Sequence, residues 1–459
     1  MEIKKDINRK AFREYDVRGV YPTQIDESTA YTIGLAFGTT IKKSGRNLCV
    51  VGHDNRLSGE SLTAALIEGI TSTGVDIKYL GLVTTPMYYY ACIYLQIDCG
   101  VMVTASHNPV DDNGFKIALK NYDNACGQDI VGLYDLACSG KFDYSLTKGR
   151  VTDYNIKDTY LERIKRDIKI TKPLKVVLDP ANATGCIVIK EVFDNIGIEP
   201  IYINDISDGH FPNHHPDPLV PENMVQLSKK VLEVGADCGI ALDGDADRFG
   251  IVDEKGNIIS ADTYMAIVWD DIMPKVSNKT ALYDVKCSKQ LEDEIVKLGG
   301  TPYVYRTGNS YQKNKVKEMD LAFGGELSGH VFFRDRWDGF DDGIYAGLRF
   351  LEILSKIDKK ASELDDDFTH YESTPEIKIQ TLDDIKFEVV EKMREYAKEK
   401  GYDINTIDGV RVTFPDGWAL VRASNTGPNL TTRYEALTKE RLEEIKCEFE
   451  SKISEFNSF

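Results

Sequence analysis

Through roughly the first 350 residues, short runs of Val, Ile and Leu alternate with longer segments in which apolar positions recur every three or four residues. The runs have the length and β-branched character of buried strands, and the longer segments have the period of amphipathic helices. That alternation predicts α/β units around parallel or mixed sheets. One plan is written three times. Each copy opens on a strand that ends at an aspartate: LCVVGHD up to Asp54, LKVVLD up to Asp179 and TALYD up to Asp284. Each leads into a helical segment, such as SGESLTAALIEGITSTG after the first strand. Each later returns to a second apolar strand that runs into a polar loop: CGVMVTASHNP, CGIALDGDADR and LAFGGELSGH. Ligand groups collect beyond the carboxyl ends of strands in open α/β sheets, so all three loops are expected at functional edges facing one cleft.

The last ~90 residues change character. DGVRVTF and WALVRAS read as a hairpin with Pro-Asp-Gly as its turn, followed by a strand LTTRYEA and an amphipathic helix KERLEEIKCEFESKISEF. The expected division is 1–155, 156–256 and 257–369 for the three α/β domains and 370–459 for a smaller α+β domain. A chain of 459 residues exceeds what one core supports, which agrees with several domains.

Composition narrows the function. With 42% hydrophobic and 28% charged residues the chain is an ordinary globular one, without an apolar run of membrane-spanning length or an apolar stretch after the basic start that would mark a secretory signal. A net charge of −18 argues against nucleic acid and anionic membrane as partners. Nine cysteines, scattered and without a C-x-x-C pair, are expected as buried free thiols in a reducing, cytoplasmic setting.

The loops carry the chemistry. Ser106, in Thr104-Ala105-Ser106-His107-Asn108-Pro109, follows a buried strand and has His107 beside it and Lys116 downstream, so it can serve as an activated nucleophile carrying a phosphoryl group or be an ordinary turn serine. Asp243, Asp245 and Asp247, spaced two apart in a loop read as extended, point the same way and call for a cation; an all-oxygen set suits Mg²⁺, and Arg248 adds a fixed positive charge. An EF-hand fits poorly, since Arg248 stands where the turn glycine belongs, although Glu254 falls at the twelfth position. An aspartyl-phosphate hydrolase with Asp243 as nucleophile stays open for that segment alone. Glu326 and Ser328, two apart in a glycine-rich loop, can face one sugar edge. Arg422, Ser424, Asn425 and Thr426 make a phosphate cradle, with Arg433 close in sequence.

Taken together, these four ordered segments resemble the α-D-phosphohexomutase superfamily. The stretch Phe12–Gly19 resembles the family's N-terminal phosphate-contacting segment, and Phe211–Pro218 and Arg336–Gly343 are similar to its phosphomannomutase/phosphoglucomutase branch. The resemblance implies three similar α/β domains with mixed sheets plus a C-terminal α+β domain around a central active-site cleft. It implies a phosphoserine at Ser106, Mg²⁺ held by Ser106, Asp243, Asp245 and Asp247, and sugar contacts from Glu326, Ser328 and His330. Arg422, Ser424, Asn425 and Thr426 would bind the non-reacting phosphate, and Tyr15, Arg18, His107, Lys116, Arg248 and Lys286 would line the cleft. Asn309 departs from the pattern, standing where relatives carry His. Ala105 and Gly427 are smaller departures, and Leu327 favours the mannose/glucose branch over phosphoglucosamine mutases.

The expected activity is interconversion of hexose 1-phosphate and hexose 6-phosphate, of mannose and/or glucose, by a monomer or weak homo-oligomer. A hexose 1,6-bisphosphate would serve as intermediate and activator, with Lys116 and His107 the candidates for moving the hydroxyl proton. Phosphoglucosamine mutase, an aspartyl-phosphate-type phosphatase and a non-catalytic sugar-phosphate sensor are the alternatives.

Overall fold

The computed structural model describes residues 1–382, 384–424 and 428–457. The described chain forms two compact units, Met1–Ser260 with Ser328–Leu364, and Ala261–Leu327 with Asp365–Phe459.

The first unit holds two sheets. One runs, edge to edge, Val17–Val20, Asp112–Lys120, Gly100–Val103, Leu48–His53, Asp76–Leu82 and Val151–Asp153. Its strands Gly100–Val103, Leu48–His53 and Asp76–Leu82 are parallel, and Asp112–Lys120 returns antiparallel beside Gly100–Val103. Helices Glu27–Lys43 and Gly59–Ser72 pack together at two glycines: a Cβ on Gly34 would lie 2.3 Å from the Leu66 carbonyl, and one on Gly69 2.2 Å from that of Tyr31. Backbone approach of that kind excludes any side chain there.

The second sheet runs Ile258–Ile259, Phe249–Asp253, Cys238–Leu242, Lys175–Asp179 and Glu199–Tyr202. Neighbouring residues of a strand face opposite sides. Gly239 accordingly meets Leu227 and Val231 of helix Pro221–Val234, while Ile240 meets Gly347 of helix Gly343–Lys356. The segment before that helix is pinned by an aromatic cluster. Trp337 stacks on Tyr345 at 4.2 Å, lies beside Tyr90 and Tyr160, and carries Arg163 4.6 Å over its ring.

In the second unit, Thr301–Tyr305, Thr280–Asp284 and Phe323–Gly325 form parallel neighbours. The central strand of each repeat is thus flanked in the same way, the next strand in sequence on one side and the polar-loop strand on the other. The C-terminal part is an antiparallel sheet with helices Lys386–Glu399 and Lys439–Phe456 packed against it around Val412, Val421, Tyr434, Met393 and Phe449. Phe414 pairs with Gly417, so the hairpin turns on Pro415-Asp416 alone and Gly417 already belongs to the strand.

The first-strand aspartates act alike. Asp54, Asp179 and Asp284 each use Oδ1 to accept the backbone N–H two residues on, from Arg56 at 3.0 Å, Ala181 at 2.9 Å and Lys286 at 3.3 Å. Each carboxylate turns its strand end into the following loop.

Candidate active site

The strand Gly100–Val103 is buried throughout and delivers Ser106 into a loop closed by the return strand Asp112–Lys120. Ser106 is buried and takes a left-handed backbone, φ +52°. A non-glycine residue holds that conformation only where its surroundings over-determine it. Here Thr104 Oγ1 accepts the Ser106 N–H at 2.9 Å, and Arg18 donates to Ala105 O and Asn108 Oδ1, both at 2.9 Å. Arg18 is itself fixed by Asp16 at 2.6 Å.

The strand Cys238–Leu242 delivers the aspartates. The loop is a turn rather than the extended stretch expected from sequence: Leu242 pairs with Phe249, and Ala246 has φ +64°. The turn, not strand alternation, gathers Asp243, Asp245 and Asp247, all fully buried, until one oxygen of each lies within 4.8 Å of the others. A Cβ on Gly244 would fall 2.2 Å from Ser106 O, so glycine is what lets this turn lie against the serine loop. Ser106 Oγ donates to Asp243 Oδ2 at 2.7 Å.

Lys116 Nζ bridges Asp245, at 2.7 Å, and Asp247. Thr85 and Thr104 hydroxyls donate to Asp245 at 2.6 and 3.2 Å. Burial opposes a charge on Asp245, yet Lys116, the Thr85 hydroxyl and Arg18 hold its carboxyl below the usual range. Burial and the neighbouring Asp245 push Asp243 and Asp247 well above it. Burial works against the Lys116 ammonium, but Asp245 and Asp247 keep its proton on. Asp245 Oδ1 and Asp247 Oδ1 are buried and accept no hydrogen bond. Carboxylates that cannot all ionise, with spare oxygens aimed inward, fit a hard divalent cation.

Arg248 lies 3.5 Å from Asp243 Oδ2 and 3.4 Å from Ser106 Oγ, and its Nη2 abuts His107 Nδ1. His107 Nδ1 is in turn 3.3 Å from Ser106 Oγ. His330, buried, sits 2.8 Å from an Asp341 carboxylate oxygen and 3.7 Å from Asp247. Tyr15 and Ser328 are half-buried in this unit. Glu254 bonds Ser362 through N–H and hydroxyl, so it serves the loop 361–363 and no EF-hand.

The remaining candidates lie in the second unit. Lys286 pairs with Glu376 at 2.8 Å, Arg422 with Asp408 at 3.1 Å, and Lys386 reaches Ser424 O at 2.9 Å. Glu326 accepts the Gly308 N–H at 2.6 Å, and Asn309 opens the helix Asn309–Glu318. Arg433 donates to Lys286 O and lies over Trp418, so it braces the backbone that carries Lys286. Asn425 and Thr426 lie outside the described residues.

Several contributors escape a loop-by-loop reading of the sequence. Thr85 starts a helix from another part of the first repeat, and Asp341 belongs to a stretch otherwise used for aromatic packing. Arg56 follows an ordinary-looking Asp-Asn, and its one signal is position: it stands two residues after Asp54, as Lys286 stands two after Asp284. Of the nine cysteines, which form no disulfide, five are buried and three half-buried; Cys447 is exposed, on the solvent side of its amphipathic helix.

Comparison with known proteins places this geometry. The family models for phosphoglucomutase/phosphomannomutase match in order: alpha/beta/alpha domain I over 9–131, domain II over 158–256, domain III over 260–371 and the C-terminal domain over 376–452. A phosphomannomutase/phosphoglucomutase of Pseudomonas syringae pv. tomato is 41% identical over 96% of this chain and 94% of its own length. A phosphoglucomutase of Neisseria gonorrhoeae is 38% identical over 97% of each. The crystal structure of a phosphoglucomutase/phosphomannomutase family protein from Burkholderia thailandensis superposes with a TM-score of 0.92, at 37% identity over 98% of both chains. The chain therefore belongs to the phosphoglucomutase/phosphomannomutase family, a mutase family of the α-D-phosphohexomutase superfamily.

Proposed function

We propose that the protein interconverts hexose 1-phosphates and hexose 6-phosphates, of mannose and/or glucose, with Ser106 as the phosphoryl carrier. The contact of Ser106 Oγ with Asp243, 2.7 Å, carries the reading, because it joins a nucleophile to a cation site. Mg²⁺ is the proposed ion, held by Asp243, Asp245, Asp247 and an oxygen on Ser106; when bound it would offset charge on the phosphoryl group.

The chain's own residues would do the rest. Phosphoryl transfer asks for alignment and charge neutralisation. Arg248 stands beside Oγ and can neutralise a transferring group there. Lys116 keeps its proton between two aspartates, which makes it a counter-charge rather than a base. His107 Nδ1 abuts the Arg248 guanidinium and lies 3.3 Å from Ser106 Oγ. His330, oriented by Asp341, has the arrangement that suits moving the hydroxyl proton. Glu326 and Ser328 are proposed for the sugar, and Lys286, Arg422 and Ser424 for the distal phosphate; buried cations already paired with Glu376 and Asp408 support the second assignment. Phospho-Ser106 gives its group to the free hydroxyl, the resulting hexose 1,6-bisphosphate reorients, and Ser106 takes back the other phosphate.

The four-domain division at 155, 256 and 369 is part of this proposal, supported by four separate sheets. So is a reducing, cytoplasmic setting, supported by nine cysteines that form no disulfide. No helix among the described residues is long and apolar enough to cross a membrane.

Incubation with glucose 1-phosphate tests the reaction. Glucose 6-phosphate is the expected product; release of inorganic phosphate instead would make the chain a hydrolase. Ser106→Ala should remove both the covalent phosphoryl group seen by mass spectrometry and essentially all mutase turnover. Side-by-side rates on mannose, glucose and glucosamine phosphates fix the sugar.

A further inference from the structure

The loop that carries Ser106 is gripped through its backbone carbonyls by one buried side chain. Arg56 Nη2 donates to the carbonyls of Ser106, at 2.7 Å, and Asn108, at 2.6 Å. Its Nη1 donates to the carbonyls of Pro109, at 2.6 Å, and Asp112, at 2.8 Å. All four terminal guanidinium hydrogens are thus spent on the backbone of residues 106–112, from the nucleophile to the first residue of the return strand. Arg56 is itself held by Asp54, 3.4 Å from Nε, and by the Phe211 ring, 5.4 Å from its central carbon. Phe211 comes from the second repeat and, like Ser106, has a left-handed backbone, φ +50°. A trans peptide points its C=O and N–H in opposite directions, so fixing Ser106 O on Arg56 turns the His107 N–H away from Arg56.

We propose that Arg56 is a positioning residue for phosphoryl transfer: by pinning four carbonyls it holds Ser106 in its left-handed conformation and so keeps Oγ at the aspartate triad. The proposal rests on the reading of Ser106 as the carrier. It differs from a general packing role in what it demands. A planar fork can span four acceptors, whereas a lysine ammonium presents three hydrogens from one point. Charge alone is therefore insufficient.

The test is Arg56→Lys. We expect kcat on glucose 1-phosphate to fall about 10- to 100-fold with KM changed less than about threefold, the signature of a misplaced reacting atom rather than lost affinity. Amide hydrogen exchange across 104–112 should accelerate about tenfold while that of the distant helix Lys439–Phe456 stays unchanged. Wild-type kcat in the variant, a loss confined to KM, or faster exchange throughout the chain would each overturn the proposal. Should Arg56→Lys fail to fold, Phe211→Leu decides: a roughly threefold or larger drop in kcat at constant KM supports the proposal, and an unchanged kcat refutes it. The exchange measurement needs no turnover. Unchanged exchange in Arg56→Lys counts against this inference alone, whereas a wild-type protein that never carries phosphoryl on Ser106 counts against the function.

Discussion

In the first repeat the strand Gly100–Val103 delivers Ser106 into a loop whose backbone carbonyls are taken by Arg18 and Arg56. In the second, the strand Cys238–Leu242 delivers three aspartates into a turn whose side chains are taken by Lys116, Thr85 and Thr104. The scaffold is shared, down to an aspartate that accepts the N–H two residues on. The serine loop is fixed through its main chain, which leaves its hydroxyl for chemistry. Asp245 and Asp247 of the aspartate turn are fixed through one oxygen each, which leaves the other for a cation, while Asp243 accepts the Ser106 hydroxyl and the Arg248 backbone N–H. The charges also cross over: Lys116 of the first repeat answers the aspartates, and Arg248 of the second faces Ser106. Neither loop is a site without the other.

The largest expected effect breaks one side only. Asp245→Asn should weaken magnesium binding, measured by calorimetry, by roughly 100-fold and lower turnover at least as much. Exchange protection over 104–112 should persist, since Arg56 and Arg18 hold that loop independently. Loss of protection there would mean the two loops are ordered by one device rather than two.

A smaller effect belongs to neither loop. Asp342 caps helix Gly343–Lys356 and accepts from Tyr160 Oη at 2.8 Å; burial pushes its carboxyl up to about 7. A folded value above the unfolded one near ~4 means that its stabilising contribution is complete in acid and is lost as pH rises through about 7. Wild-type Tm should therefore fall relative to Asp342→Asn between about pH 4 and 7, by the equivalent of at most about 4 kcal/mol. Parallel Tm curves for the two proteins would rule this out.

The smallest effect sharpens the comparison by loosening what joins the repeats. Trp337 contacts Tyr90 of the first and Tyr160 of the second. Trp337→Phe should cost about 1–2 kcal/mol in chemical denaturation, through lost contact and a weaker Arg163 interaction, with metal affinity unchanged.

Much of this was open to reading. A strand buried on both faces shows as a continuous apolar run, so CGVMV and CGIAL disclosed their strands and the polar loops that follow. Carboxylates packed between such runs pointed to a buried cluster that could hold a cation. The turn at Ala246 was hidden, because alternate spacing of aspartates suits a strand equally well. Arg56 and Thr85 were hidden because their partners are backbone carbonyls and a carboxylate far along the chain, which no local pattern announces. Arg433 was expected beside the phosphate cradle, and its bond to the Lys286 carbonyl was not announced by any local pattern. Long basic side chains serve either end equally, and only three-dimensional neighbours decide between them.

The helix Gly343–Lys356 covers one face of the second sheet, yet it is encoded about 90 residues after the strand Phe249–Asp253 of that sheet. At ribosomal speeds of roughly 5–20 residues per second, that apolar face waits about 5–20 s for its lid during synthesis. The nascent chain is thereby exposed to chaperones and to aggregation at a moment fixed by gene order.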